Sequence, residues 1–170
     1  MGFSLLFWTG MRLGEMLALT VGDIDTELCT INIDKSLARI QRQDVITAPK
    51  TASSVRLVTI HRDLADRLRD YIAQIPNATP QMRLFEKQSK SYFEREMQRG
   101  VELSGVKRIT VHGTRHSQAS LCLEIGCSPL EIAKRLGHGK VATTLETYCH
   151  QPSDAQRRIA AAMGLAARDQ

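Results

Sequence analysis

The chain has 170 residues, of which 42% are hydrophobic and 24% charged, and its 23 Lys and Arg against 18 Asp and Glu give a formal net charge of +5. These proportions are ordinary for a globular domain and exclude disordered, collagen-like and coiled-coil chains. The apolar stretch 3–8 is far shorter than the roughly 20 residues of a membrane span, and no basic segment precedes it as in a secretory signal. We therefore expect a cytoplasmic protein without a membrane partner. Its positive charge is compatible with a polyanionic partner but does not by itself indicate one.

The first half of the chain predicts one helix and a small sheet. Apolar residues recur at helical spacing from Arg12 to Val21, and Gly22 then breaks the pattern. Three later segments can extend, two of them with alternating β-branched residues: 29–33, 36–43 and 54–60. Together they predict an antiparallel sheet of about three strands, with a turn over 48–53.

The second half is predicted to be helical. The expected helices are one around 64–72 that ends before Pro76, one from about 89 to 103, and then 112–124, 129–136, 141–149 and 152–168. Thr110 or a neighbour can cap the third of these, and Gly126 suits the positive φ at its C-terminus. Ser128 to Glu131 forms a capping box with Pro129 at the first helical position, and that helix stops at Gly137. The fold class is therefore mainly α with a small three-stranded antiparallel sheet (α+β).

Two pairs of charged residues could form an anion site. His112 and Arg115 are three apart, which places them on one face at a helix N-terminus, where unpaired N–H groups also favour anions. Arg12 and Glu15 likewise share a face, so Glu15 could orient the Arg12 guanidinium toward a phosphate. Each pair could equally be an ordinary surface feature or a helical ion pair of small value.

A metal site is a weaker possibility. His112 and His116 are four apart, as in a metal-binding helix, but a cation, Arg115, lies between them where a zinc protease helix has its Glu. A third ligand would have to come from His138, Cys149 or His150. We expect no metal.

Five short motifs are more specific in combination than any one of them is alone. In chain order they are 9–15 (TGMRLGE), 49–51 (PKT), 112–116 (HGTRH), 136–138 (LGH) and 144–150 (TLETYCH). In order and spacing they resemble the motifs of the tyrosine recombinases, the phage integrase family. The main departure is Thr114, where the family usually has an apolar residue, and we expect it to perturb packing only slightly.

The resemblance implies the tyrosine recombinase catalytic-domain fold over residues 1–170, with a C-terminal tail helix over 152–168. The N-terminal DNA-clamping domain of full-length members would be absent. It also implies a site-specific DNA recombinase, an integrase of a mobile element, that acts on a duplex DNA attachment site. Full-length members assemble as homotetramers on DNA, and we expect the isolated chain to be a monomer.

By the same resemblance, Tyr148 is the nucleophile that forms a 3′-phosphotyrosyl link to DNA. Arg12 and Arg115 would then stabilise the charge that develops on the phosphate, because an arginine fork stays protonated. His138 would donate a further hydrogen bond to this phosphate.

Four other residues take supporting roles by the resemblance. Lys50, on the turn between strands, would protonate the leaving 5′ oxygen, and His112 would assist deprotonation of the tyrosine. Glu15 would hold Arg12 or a neighbour, and His150 is expected beside the same phosphate. No cofactor is implied, because the phosphotyrosyl bond conserves the energy of the broken linkage.

Three alternatives stay open. A relative of the same fold could bind DNA or regulate without cutting it. A type IB topoisomerase uses a similar site, although the LGH and TxxxY stretches look like those of integrases. A metal-dependent nuclease could use the His and Cys residues.

Overall fold

The computed structural model of the chain describes residues 1–41, 43–49 and 51–138. Its described α-helices are α1 (Gly2–Thr9), α2 (Leu13–Ala18), α3 (Arg62–Ala73), α4 (Lys90–Ser104), α5 (Gly113–Glu124) and α6 (Pro129–Leu136). Its described strands are β1 (Ile24–Asp25), β2 (Thr30–Ile33), β3 (Ser36–Ile40), β4 (Gln43–Thr47) and β5 (Arg56–Thr59). Short 3-10 turns cover Val21–Asp23 and Ala52–Ser54. The α+β fold class is confirmed.

The three-stranded antiparallel sheet is present, but one of its strands is not the one predicted. Its order is β1-β2-β5, with Ile31 opposite Val58 in the central pair. The segment expected to extend over 36–43 instead turns back at Gln41, whose φ is 49°, and forms a separate hairpin of β3 and β4. The two-residue β1 is too short to show any period in the sequence, so pattern alone could not assign it.

The core lies between the sheet and the first three helices. Its largest fully buried side chains include Leu5, Leu6, Met16, Leu17, Leu19, Ile31, Ile33, Leu64 and Leu68. Each such side chain contributes roughly 1.5–3 kcal/mol by leaving water. Helix α1 was not predicted, because it is apolar on nearly every face and shows no amphipathic period.

The predicted helix ends around α5 and α6 are confirmed. The Thr110 hydroxyl accepts the N–H of Gly113 at 3.0 Å, and Gly126 has a φ of 90° just beyond the other end of α5. Ser128 and Glu131 form the reciprocal capping box at the start of α6, and Gly137 ends that helix with a φ of 70°. These ends place residues 112–115 and 136–138 where their side chains can meet.

Two predicted helices, 141–149 and the tail helix 152–168, lie outside the described residues. Among the helices that are described, none is long and apolar enough to cross a membrane.

Candidate active site

Arg12 and Glu15 are joined at the start of α2. Arg12 is the residue before the first helical turn, and its backbone N–H donates to Oε2 of Glu15 at 2.8 Å. Its Nη1 donates to Oε1 of the same carboxylate at 2.7 Å. The Arg12 side chain remains 41% exposed whereas that of Glu15 is 4% exposed. Glu15 therefore holds Arg12 in place while the Arg12 side chain stays partly open to solvent.

A second arginine, Arg56 on β5, binds the same carboxylate and was missed in the sequence. Its Nη2 donates to Oε2 of Glu15 at 2.8 Å and its Nη1 to Oε1 at 3.3 Å. The signal that could have found it is strand parity, because Arg56 lies two residues before Val58 and so shares its inward face. A cation at an inward position of a strand requires a buried partner.

These two arginines determine the ionisation of Glu15. Burial by itself would raise the pKa of this carboxyl. The hydrogen bond and positive charge of Arg56, followed by the hydrogen bonds from Arg12, more than reverse that effect and hold the pKa of Glu15 below its ordinary value. Glu15 is therefore an anion at neutral pH.

Arg115, on the first turn of α5, is held by two backbone carbonyls from other elements. Its Nη1 donates to the carbonyl of Gly10 at 2.6 Å, and its Nη2 donates to the carbonyl of Leu136 at 2.8 Å. The residue is 3% exposed. Gly10 ends α1 with a φ of 66°, and a Cβ there would lie 2.5 Å from Cδ2 of Leu136, so this glycine permits α1 and α6 to pack closely. Arg115 thus connects the ends of α1 and α6.

Two histidines complete the group. The pKa of His138 is lowered to about 4 by burial and by the positive charges of Arg115, Arg12 and Arg56. The pKa of His112 is lowered by burial and by the charges of His116, Arg115 and Arg12. Both imidazoles are therefore neutral at pH 7 and can donate and accept hydrogen bonds. Arg115 and Arg12 therefore each lie within electrostatic range of both imidazoles.

We call Arg12, His112, Arg115 and His138 the convergent cluster. Its members come from the start of α2, the start of α5 and the end of α6. An open cleft of about 640 Å³ adjoins two of them, Arg12 and His112, and is lined on its far side by α4 and the segment 108–111. The cluster suits an anion, because two guanidinium groups lie within electrostatic range of two imidazoles that can each donate an N–H.

The described part of the chain offers no metal site. No three of its His, Cys, Asp or Glu side chains lie close enough together to hold a metal ion. The rings of His112 and His116 do stack edge to face, with centroids 5.1 Å apart. Thr114, the departure from the family pattern, is buried and donates its hydroxyl to the carbonyl of Val111 at 2.7 Å, so its polar group is satisfied.

Three of the predicted site residues, Lys50, Tyr148 and His150, lie outside the described residues. Their roles stay predictions.

Solved structures share this architecture. A structure of the Tn1549 transposon integrase in complex with a circular intermediate DNA matches with a TM-score of 0.81 at 24% identity, covering 95% of this chain and 57% of that one. The crystal structure of XerA recombinase matches with a TM-score of 0.70 at 25% identity, covering 94% and 56% respectively. The protein thus has the fold of a tyrosine recombinase catalytic domain.

The sequence comparisons define the family. The profile described as "Phage integrase family" matches residues 1–154. The ICEBs1 integrase of Bacillus subtilis (strain 168) is 32% identical over 178 residues, which cover 93% of this chain and 46% of that relative. The chain belongs to the phage integrase family, as its motifs indicated. It spans about half the length of the curated relatives it matches.

Proposed function

We propose that this chain carries the catalytic centre of a site-specific DNA recombinase, an integrase of a mobile element. The observation that supports the proposal is the convergent cluster, in which two arginines from distant segments act electrostatically on two histidines whose pKa values they lower. The substrate would be a duplex DNA attachment site in the cytoplasm. A homotetramer of the full-length protein would act on it.

The proposed reaction is a transesterification at a phosphodiester. The Tyr148 hydroxyl loses its proton and its oxygen attacks the phosphorus, forming a 3′-phosphotyrosyl bond while the bond to the 5′ oxygen breaks. The 5′ oxygen gains a proton. This 5′-hydroxyl later loses the proton and attacks the phosphotyrosyl linkage of a partner strand, so that the bond to the tyrosine oxygen breaks and the tyrosine is reprotonated. One phosphodiester replaces another at each step, so neither ATP nor a redox cofactor is needed.

The described residues would stabilise the transition state. Negative charge grows on the nonbridging oxygens as the tyrosine attacks, and fixed donors that face it lower the barrier. Arg12 and Arg115 would supply the opposing positive charge, and His138 would donate an N–H from a neutral imidazole. Since the imidazole of His112 is also neutral, it can accept a proton, and we assign it to the deprotonation of Tyr148. Lys50 would protonate the leaving oxygen.

The relatives support a DNA substrate. The matched Tn1549 transposon integrase was solved with circular intermediate DNA, and the XerH site-specific recombinase, 20% identical with a TM-score of 0.64, was solved bound to its difH substrate. The curated relatives include an integrase of a Staphylococcus phage and a transposase from transposon Tn554. Integrases and transposases move DNA segments, which is the class of reaction proposed here.

The test is covalent trapping on nicked DNA. The chain is incubated in EDTA with a pool of nicked duplexes whose sequence is randomised around the nick, and denaturing gels reveal any protein–DNA adduct. We expect an adduct that Tyr148→Phe abolishes and Tyr92→Phe retains, since Tyr92 lies on α4 outside the cluster.

Each other outcome has its own meaning. An adduct that persists in Tyr148→Phe would eliminate this tyrosine as the nucleophile. Cleavage that requires added metal would favour a nuclease. Binding to duplex DNA without any adduct would favour a non-cleaving relative of the same fold.

A further inference from the structure

Arg56 is bonded to three separate parts of the site. Besides its two contacts with Glu15, its Nη1 donates to the carbonyl of Ser54 at 2.9 Å and its Nε to the carbonyl of Arg135 at 2.8 Å. These carbonyls come from the turn before β5 and from the last turn of α6. A planar guanidinium with this many fixed acceptors has one orientation. Arg56 is therefore held against Glu15 by the backbone itself.

The charges around Glu15 are unequal. Its carboxylate faces two guanidinium groups, Arg12 and Arg56, so two positive charges meet one negative charge. Arg56 is buried, with a side chain 6% exposed, whereas Arg12 is 41% exposed. The buried cation can act only on its neighbours, and the exposed cation can meet a ligand. The two arginines can therefore have different roles: Arg56 acts on Glu15, and Arg12 can bind a ligand.

We infer that Arg56 is a positioning residue that neutralises Glu15, so that the charge of Arg12 stays available to the scissile phosphate. This inference rests on the proposed function. Glu15 accepts the backbone N–H and the Nη1 of Arg12, and these two bonds fix where that guanidinium lies. Without Arg56, the same anion would be balanced by Arg12 alone and would repel the phosphate that Arg12 is meant to bind. Arg56 offsets the negative charge of Glu15 from the buried side of the carboxylate, so Glu15 can hold Arg12 without repelling the phosphate.

The neighbouring backbone leaves room for this arginine. A Cβ at Gly137 would lie 2.9 Å from Nη1 of Arg56 and 3.1 Å from the carbonyl of Ser53. The φ of Gly137, 70°, also suits glycine. The glycine in the LGH motif therefore permits Arg56 to pass beneath α6 and reach Glu15.

The test uses inorganic phosphate as the probe and the full 170-residue chain as the protein. Phosphate is titrated into isotope-labelled chain, and NMR follows the Nε–Hε signal of Arg12, assigned by its loss in Arg12→Lys. The variants are Arg56→Met, which removes the charge, Arg56→Lys, which keeps it, and the double variant Arg56→Met with Glu15→Gln. Arg62→Met is the matched control, because Arg62 also binds two backbone carbonyls but lies on α3 away from the cluster.

We expect Arg56→Met to weaken phosphate binding at Arg12 by roughly tenfold, because the uncompensated carboxylate opposes the anion. Arg56→Lys and Arg62→Met should stay within about threefold of the parent chain. The double variant should recover most of the loss, since it removes the opposing charge along with its partner and the glutamine amide oxygen can still accept an N–H of Arg12. Recovery is read at the Arg12 signal and not as stability, because removing both partners of a buried ion pair can restore stability whatever the role of Arg56.

Four results would overturn the inference: no effect of phosphate on Arg12 in the parent chain, unchanged affinity in a folded Arg56→Met, equal loss in Arg56→Lys, or no recovery in the double variant. If Arg56→Met does not fold, Arg56→Lys and the double variant decide the matter. The nicked-duplex assay is run in parallel. An absent adduct with Arg56-dependent phosphate binding would reject the proposed function and keep the role of Arg56.

Discussion

Arg115 and Gly10 are 105 residues apart in the chain, yet Nη1 of the arginine donates to the glycine carbonyl at 2.6 Å. Nη2 of the same guanidinium donates to the carbonyl of Leu136 at 2.8 Å. The end of α1 and the end of α6 are thereby fixed to the first turn of α5. One buried side chain therefore joins three helices, and the arginine that we propose to bind phosphate is also a structural residue.

Replacing Arg115 with lysine tests that dual role. Lysine keeps the charge but cannot span two carbonyls, so we expect the rate of adduct formation to fall by roughly 10²–10³. The free energy of unfolding should fall by about 1–3 kcal/mol, because at least one buried carbonyl loses its donor. Adduct gels and urea denaturation measure the two effects. Arg67→Lys is the control, since Arg67 is an exposed residue of α3 that donates to the half-buried Ser4 hydroxyl. An Arg115→Lys rate within threefold of the parent would contradict the assignment.

The close packing of Leu136 against Gly10 can be tested by comparison with Gly126, a second glycine with positive φ. Gly10 and Gly126 both have positive φ, but a Cβ at Gly126 would meet nothing within 4 Å, whereas one at Gly10 would meet Leu136 and Gln118. We expect Gly126→Ala to cost about 1 kcal/mol from φ alone and Gly10→Ala roughly 1–3 kcal/mol more from overpacking. Urea denaturation of both variants gives the comparison. Equal costs would mean that the contact with α6 is not tight.

The lowered pKa of His138 predicts a pH dependence of stability. In the unfolded chain this imidazole titrates near 6.5, and in the folded chain its pKa is about 4. As the pH falls from 6.5 toward 4, the unfolded chain takes up a proton that the folded chain does not, so stability is full above 6.5 and is lost across this window. His138→Gln should reduce the loss between about pH 7 and pH 4.5, as measured by urea denaturation at each pH.

That His138→Gln comparison isolates one group. Glu15 and His112 are present in both proteins, so their titrations cancel in the difference. A parent chain and a His138→Gln variant with the same pH dependence would show that the imidazole is not held neutral.

We expect Arg12 to contribute to the salt dependence of DNA binding. If its exposed guanidinium contacts one phosphate, Arg12→Ala should weaken binding to every duplex and reduce the slope of log affinity against log salt by about 1. Fluorescence anisotropy at several salt concentrations measures the slope. Arg62→Ala, outside the cluster, should leave it unchanged. An unaltered slope in Arg12→Ala would place that guanidinium away from DNA phosphates.

The sequence by itself determined the local structure and the family. The capping box from Ser128 to Glu131 and the positive φ of Gly126 follow from bonds and steric limits that act within a few residues. The five ordered motifs resembled one family, and the comparisons confirmed it. Arg12 with Glu15, and His112 with Arg115, could be paired because helical spacing is also local.

Only the tertiary structure decided how those pairs meet. No period in the sequence marks α1, which is buried on most of its surface, or shows that β3 leaves the sheet to pair with β4. The bonds of Arg56 to Glu15, 41 residues away, and of Arg115 to Gly10 join segments that no local rule connects. Such contacts form because a buried guanidinium must satisfy its N–H groups wherever the packed helices and sheet bring an acceptor.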